Sequence, residues 1–224
     1  FKGDNFKYTF QRSSGNFSDI EIMGKKQIVK PPVLSALRAY TDNERNAKRL
    51  WVHDGESLEE QFSKIYSAEV KNNKIIVKGS LAGISRLPYL RYEMEISADK
   101  SGVITYDFKG KVRDNAPYLQ RFGMEFTLLS SSYEFSYFGY GPQESYCDMY
   151  KGASLGFYES NVKKEYVNYI RPQEHGNHFG CKELNIGNMR FSAETSFECN
   201  VSEFKAEDLI KADHINKLKK DGYI

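Results

Sequence analysis

Apolar side chains recur at every second position along most of this chain, and that period admits few folds. Phe6, Tyr8 and Phe10 alternate with polar residues before the turn-forming SSGN at 13–16. Ile20 and Ile22 follow, then MGKK at 23–26 turns the chain into Gln27, Ile28 and Val29. Leu90, Tyr92, Met94 and Ile96 alternate up to ADKSG, and Ile104, Tyr106 and Phe108 alternate back. Phe122, Met124, Phe126 and Leu128 repeat the pattern, as do Tyr133, Phe135 and Tyr137. A last run takes in Met189, Phe191, Ala193, Thr195, Phe197, Cys199 and Val201. A strand with one face dry and one face wet produces this period, which is the mark of antiparallel sheets. Strands recurring with turn chemistry between them predict an all-β sandwich or barrel.

Two stretches depart from period two. Ser57 with Glu60 forms a capping box, and Leu58, Phe62 and Ile65 follow at i, i+4 and i+7, which predicts a short surface helix. A second helix is predicted from about Ala206 to Lys219, with Leu209, Ile210 and His214 on one side. There is no linker, low-complexity tract or charge block, so residues 1–224 read as a single domain. The 224 residues are enough to bury a core without staples. Cys147, Cys181 and Cys199 have no zinc spacing, and an odd number cannot pair completely, so they read as buried or idle thiols in a reducing compartment.

Charge excludes several function classes. Thirty-two basic against 30 acidic residues leave +2, which argues against a nucleic-acid or anionic-membrane partner bound through overall charge. No run of 18 apolar residues is present to span a bilayer, and FKGDNFKY lacks the apolar stretch of a secretory signal. The absence of an initiator Met and the apolar final residues give the expectation of a piece excised from a longer protein. Aromatic residues make up 14%, a composition suited to half-buried pleated surfaces and to stacking on sugar rings.

Chemistry-bearing candidates are sparse. PQE occurs at 142–144 and again at 172–174, both in Gly- and Pro-marked loops. Glu144 and Glu174 fit either a glycosidase carboxylate pair or two loop-pinning acceptors, and the second is the commoner use. His175 and His178 in HGNH have a spacing a metal can use, but no third ligand is evident and Gly176-Asn177 reads first as a tight turn. A His–Glu pair that shuttles protons on a sugar is a further reading. Arg38, Asp42, Asn43 and Arg45 form a polar cluster after PPVLSAL, placed either to meet sugar hydroxyls or to cap the following segment. The nucleophile elbow, the phosphate loop, the dinucleotide fingerprint and HExxH are all absent from the sequence.

RAYTDNE (38–44), GYGPQESYCDMY (139–150) and YIRPQEHGNHFGCKEL (169–184), in that order and at suitable spacing, resemble the C-terminal domain of the large bacterial β-galactosidases of glycoside hydrolase family 2. The opening GDNFKYTFQRSSGNFSDIEIMGKKQIV resembles the start of that domain, so the likeness covers essentially the whole chain. Departures are Tyr40 where Pro is usual, Glu44 where Asp is usual, Met149 where Arg is usual, and His175 where Asn is common.

The resemblance implies a galactose-mutarotase-like antiparallel supersandwich that is itself non-catalytic. Both catalytic glutamates then lie on an upstream (β/α)8 barrel, against which this domain packs, and the family's further strands follow Ile224. It implies a retaining hydrolysis of terminal β-D-galactosides such as lactose, by an enzyme that is cytoplasmic and homo-oligomeric. Magnesium and sodium ions are implied for the full enzyme, with no metal ligand assigned in this chain. The loop from about Asn46 to Gly55 is expected near the mouth of the site, anchored by Arg38, Asp42, Asn43 and Arg45. Glu144, Arg171, Glu174 and His175 are expected to tie the two PQE loops together as a network. The competing readings are a carbohydrate-binding module with Trp51, Tyr140 or Tyr146 as platforms, and an aldose epimerase using His175 or His178 with a Glu.

Overall fold

A computed structural model describes residues 1–46, 52, 53, 56–129 and 134–218. The chain forms two compact units, one of residues 1–38 and 43–127 and the other of residues 39–42 and 128–224.

The first unit is built from hairpins. β1 (Phe6–Gln11), β2 (Asn16–Ile22) and β3 (Lys25–Lys26) form one antiparallel sheet. The β2–β3 turn is the two residues Met23 and Gly24, both at positive φ, the backbone form that matches strand twist. β4 (Ile28–Ser35) leads to the one-turn helix α1 (Asp42–Asn46) and to the short pair β5 (Val52–His53) and β6 (Glu56–Ser57). β7 (Phe62–Lys71), β8 (Lys74–Ala82), β9 (Pro88–Ala98) and β10 (Ile104–Val112) make a four-stranded meander, and β11 (Gly123–Leu128) pairs with β4. The register sets Ile75, Val77 and Leu81 of β8 opposite Ile96, Met94 and Leu90 of β9, and all six are buried. At the β9–β10 turn, Asp99 Oδ1 accepts from the Ser101 hydroxyl at 2.7 Å and from the Ser101 and Val103 amides at 2.8 and 2.9 Å. The Ser101 hydroxyl bond is the main reason the Asp99 carboxyl sits below its ordinary range.

The helix expected after Ser57 is absent. Ser57 closes β6, its Oγ accepts the Glu59 amide at 3.2 Å, and Phe62 and Ile65 lie in β7. A register shift between Ile65 and Ser67 leaves Tyr66 as a bulge. Leu58 lies in the connection before β7 while Phe62 and Ile65 lie at the start of the strand, so their helical spacing runs across two different pieces of backbone. The turn joining β7 to β8 is Asn72-Asn73, again with both φ positive.

The core of this unit centres on Phe17, which is fully buried. Its ring meets Tyr8, Phe10 and Tyr106 at centroid distances of 6.0, 5.7 and 6.3 Å, largely edge-on. Such tilted contacts suit the ring quadrupole. Tyr8 escapes the cost of a buried hydroxyl by donating to the Gly102 carbonyl at 2.6 Å.

The second unit is a four-stranded antiparallel sheet in the order β13 (Ser154–Asn161), β12 (Glu134–Gly141), β14 (Asn177–Ile186), β15 (Met189–Asn200). Phe135, Tyr137, Leu184 and Ile186 alternate inward to form its buried face. The short helix α2 (Val162–Glu165) follows β13 and is capped by Asn161, whose Oδ1 accepts the Lys163 and Lys164 amides at 3.1 Å. The expected C-terminal helix exists but is shorter: α3 spans Ala206–Lys211, and Ile215–Lys217 form a separate 3-10 turn. Leu209 is the one buried residue of α3, while His214 is exposed. A single apolar anchor does not sustain four helical turns.

Candidate functional site

Both PQE loops belong to the second unit. The first continues from β12 through a cis Gly141-Pro142 bond, and the second leads into β14. Pro fixes the chain direction in each, after which neighbouring polar groups must satisfy the turning backbone. Glu144 Oε2 accepts the Gly176 amide at 2.8 Å and the Tyr146 hydroxyl at 3.2 Å, so the carboxylate of the first loop holds the backbone of the second. Ser145 and Asn177 reinforce the junction in both directions. The Ser145 amide donates to the Asn177 carbonyl at 2.7 Å, and Asn177 Nδ2 donates to the Ser145 carbonyl at 2.8 Å. Ser145 Oγ donates to the Tyr140 carbonyl and accepts the Phe179 amide.

The second loop is also tied to residues 39–42 of its own unit. Gln173 Oε1 accepts the Asp42 amide at 2.8 Å, and the Glu174 amide donates to the Tyr40 carbonyl at 3.4 Å. Glu174 and His175 are buried, with His175 Nδ1 facing the Gln173 carbonyl at 2.8 Å and its ring edge-on to Tyr166.

Beneath the loops lies a pair separated by thirteen residues in sequence. His178 Nε2 meets Glu165 Oε2 at 3.1 Å, and His178 Nδ1 faces the Tyr140 carbonyl at 3.3 Å. Ser160 donates its hydroxyl to the other carboxylate oxygen of Glu165. The imidazole stacks on Tyr137 with centroids 4.0 Å apart, and it is fully buried. The Tyr137 hydroxyl is buried without a hydrogen-bond partner among the described residues. Burial, and then the Glu165 charge, push the Tyr137 phenol up. A recess bounded by Val162, Glu165, His175, Gly176 and Asn200 adjoins this pair but has no room for a water molecule. A shuttle on sugar hydroxyls needs an imidazole nitrogen that substrate can reach, and both nitrogens of His178 are engaged inside the fold.

The sequence candidates therefore have distinct placements. Glu144, Glu174 and His175 lie in the loop junction, with Glu144 bonded to a backbone amide and a tyrosine and His175 Nδ1 facing a backbone carbonyl. Arg171 is exposed, and its charge adds to the Lys217 hydrogen bond that chiefly holds the Asp213 carboxyl below its ordinary range. In the first unit, Arg38 forms a two-pronged ion pair with Glu44, with Nη1 to Oε2 at 2.8 Å and Nη2 to Oε1. Asp42 and Asn43 are exposed and are the first two residues of α1, and Arg45 is half-buried. Residues 47–51, 54 and 55 of the expected mouth loop, Trp51 among them, lie outside the described residues. Of the carbohydrate-stacking candidates, Tyr140 packs on Tyr150 and Phe179 at 5.1 and 5.9 Å, within an aromatic cluster. No three His, Cys, Asp or Glu side chains converge as metal ligands among the described residues. Sequence reasoning did not pick out Glu165, Ser160 or Asn177. The Asn161 cap and the polar face of α2 were the available signal for Glu165.

The profile described as "Beta galactosidase small chain" matches residues 2–224. The chain belongs to the β-galactosidase small-chain family. A β-galactosidase of Actinobacillus pleuropneumoniae is 32% identical over 222 residues, and one of Streptococcus thermophilus 31% over 234 residues. Each alignment covers 97% of this chain and 22% of the relative, so the chain spans about a fifth of the length of these relatives. A β-galactosidase of Halalkalibacterium halodurans is 25% identical over 99% of this chain.

Within this small-chain framework Tyr40, Glu44, Met149 and His175 have clear surroundings. Glu44 supplies the carboxylate that Arg38 grips, Tyr40 is buried with its carbonyl on the second loop, and His175 fills a buried aromatic corner. Met149 is exposed on the turn after Tyr146. The Glu144 carboxylate accepts both a backbone amide and a tyrosine hydroxyl at the loop junction, so Glu144→Ala should lower unfolding free energy by about 2 kcal/mol, the range for a hydrogen-bonded carboxylate. Urea unfolding measures this directly, and an unchanged midpoint would mean that Ser145 and Asn177 hold the loops unaided.

Proposed function

We propose that this chain is a non-catalytic domain of a β-galactosidase that hydrolyses terminal β-D-galactosides such as lactose, and that it packs on the catalytic barrel and helps shape the mouth of its site. The observation that carries this reading is the employment of the candidate acids. Glu144 is bonded to a backbone amide and a tyrosine, Glu165 to His178 and Ser160, and Glu174 is buried. Glycosidic cleavage needs two carboxylates facing a space that holds a sugar, and the recess beside Glu165 is too small for one.

The surface supports the packing half of the proposal. On the edge strand β13, Leu155 and Phe157 are 52% and 73% exposed, and Ile170 is 84% exposed. Leu155 and Phe157 stand two apart on one face of β13, and large apolar side chains left open side by side mark a surface that another body covers; the relatives carry nearly four-fifths of their length outside the matched region. The proposed partners are the remaining domains of the same enzyme, which is taken to be cytoplasmic and homo-oligomeric and to bind its galactoside substrate as the full enzyme. Magnesium and sodium are assigned to the barrel side on the family resemblance alone. The reading is tested by mixing the chain with a barrel-containing fragment: hydrolysis of a chromogenic β-galactoside should require both pieces.

A further inference from the structure

Cys181 and Cys199 come together because of an irregularity in the β14–β15 ladder. His178 pairs with Cys199, and Cys181 pairs with Phe197, so three steps on β14 oppose two on β15. In an unbroken ladder the residue opposite Phe197 would be Gly180, and Cys181 would point to the other face. Gly180, at φ +64, takes up the extra residue and turns Cys181 onto the face that carries His178 and Cys199. The two sulfurs lie 3.5 Å apart, both residues are buried, and both are free thiols. Gly139 on the neighbouring strand β12 leaves the space they occupy, because a Cβ there would come within 2.6 Å of Cys181 Sγ.

We propose that Cys181 and Cys199 are a reversible disulfide site, closed by thiol–disulfide exchange with a low-molecular-weight disulfide and reopened by thiols. Sulfurs already in contact on adjacent strands need only about 1.5 Å of further approach to reach bonding distance. The Cys199 thiol hydrogen-bonds Cys181 and so favours its thiolate, which makes Cys181 the attacking sulfur. In the first step the Cys181 thiolate attacks one sulfur of R–S–S–R, forming a mixed disulfide and releasing R–S⁻. In the second, the Cys199 thiolate attacks the mixed disulfide at Cys181 Sγ and expels the second R–S⁻. The two protons from the cysteine thiols end on the two released thiols. Two electrons pass from the dithiol to the small disulfide, which is reduced to two R–SH.

Access comes through β15, an edge strand whose residues 193–196 have no paired partner in the register. An edge segment with few ladder bonds opens locally at low free energy. Closure would brace the strand under the second PQE loop, because Asn200 Nδ2, one residue after Cys199, donates to the His175 carbonyl at 2.5 Å.

The test uses the full chain carrying Cys147→Ser, which removes the exposed third thiol. The folded protein is incubated with oxidised glutathione and then denatured, and its free thiols are counted by alkylation and mass spectrometry. The expected result is a fall from two free thiols to none, a loss of two mass units, a linked peptide pair containing Cys181 and Cys199, and full recovery with dithiothreitol. Adding Cys199→Ser should abolish the two-unit loss. Two thiols surviving oxidation, or glutathione adducts with no internal link, would overturn the proposal.

Discussion

Replacing Phe17 with alanine is expected to remove about 4 kcal/mol of unfolding free energy, the central range for deleting a buried aromatic ring. The ring is fully buried and meets Phe1, Tyr8, Phe10 and Tyr106, which come from β1, β10 and the segment before β1. Those neighbours are themselves anchored, Tyr8 by its bond to the Gly102 carbonyl and β1 by its ladder to β2. Collapse into the vacated volume is therefore restricted, which puts the cost at the cavity-forming end of the range. Phe17→Leu should recover roughly half of the loss, because it restores apolar volume without the tilted ring contacts. Urea unfolding of the three proteins checks this, and a loss below about 1 kcal/mol for alanine would remove Phe17 from the centre of its unit.

His178→Ala is the second large effect, expected near 3 kcal/mol. Three losses combine: the stack on Tyr137, the contact with Glu165, and the filled volume of a ring with no exposed surface. Removing one partner of a buried polar pair costs about 1–3 kcal/mol on its own, and the cavity adds to that. His178→Gln should cost less than alanine, since an amide keeps volume and a polar contact in the same space. If alanine is tolerated as well as glutamine, the ring does not organise the loops above it.

The sequence showed the strands whose apolar residues alternate, β1 and β15 among them although their ladders carry register shifts. β9 and β10 pair in continuous register, and the apolar positions of both were readable at once. Around the start of β7, Leu58, Phe62 and Ile65 do not alternate, so a connection and the strand after it resembled a helix start. Phe17 escaped notice for a related reason: the register shifts between Thr9 and Phe10, so that Phe10 faces Phe17 while Thr9 faces Asp19. At the loops, the two PQE motifs signalled that Glu144 and the second loop mattered, and the fold brings them together through Gly176. What sequence could not carry was the choice of partner. Glu144 binds the Gly176 amide, and the sequence leaves backbone and arginine partners equally open because backbone donors exist at every residue and leave no mark in the side-chain pattern. His178 likewise gave a local HGNH spacing, whereas its partner Glu165 lies thirteen residues back on α2 and reaches it only through the fold.

The central claim is that this chain supports galactoside hydrolysis without performing it. It is tested most directly by following release of the chromophore from a β-galactoside with the chain alone, the barrel-containing fragment alone, and the two mixed. The account predicts no turnover from the chain by itself and turnover on mixing, with the gain saturating as the chain is titrated. Turnover by the purified chain alone, abolished by Glu144→Gln or Glu174→Gln, would contradict it and make the two PQE loops a catalytic site.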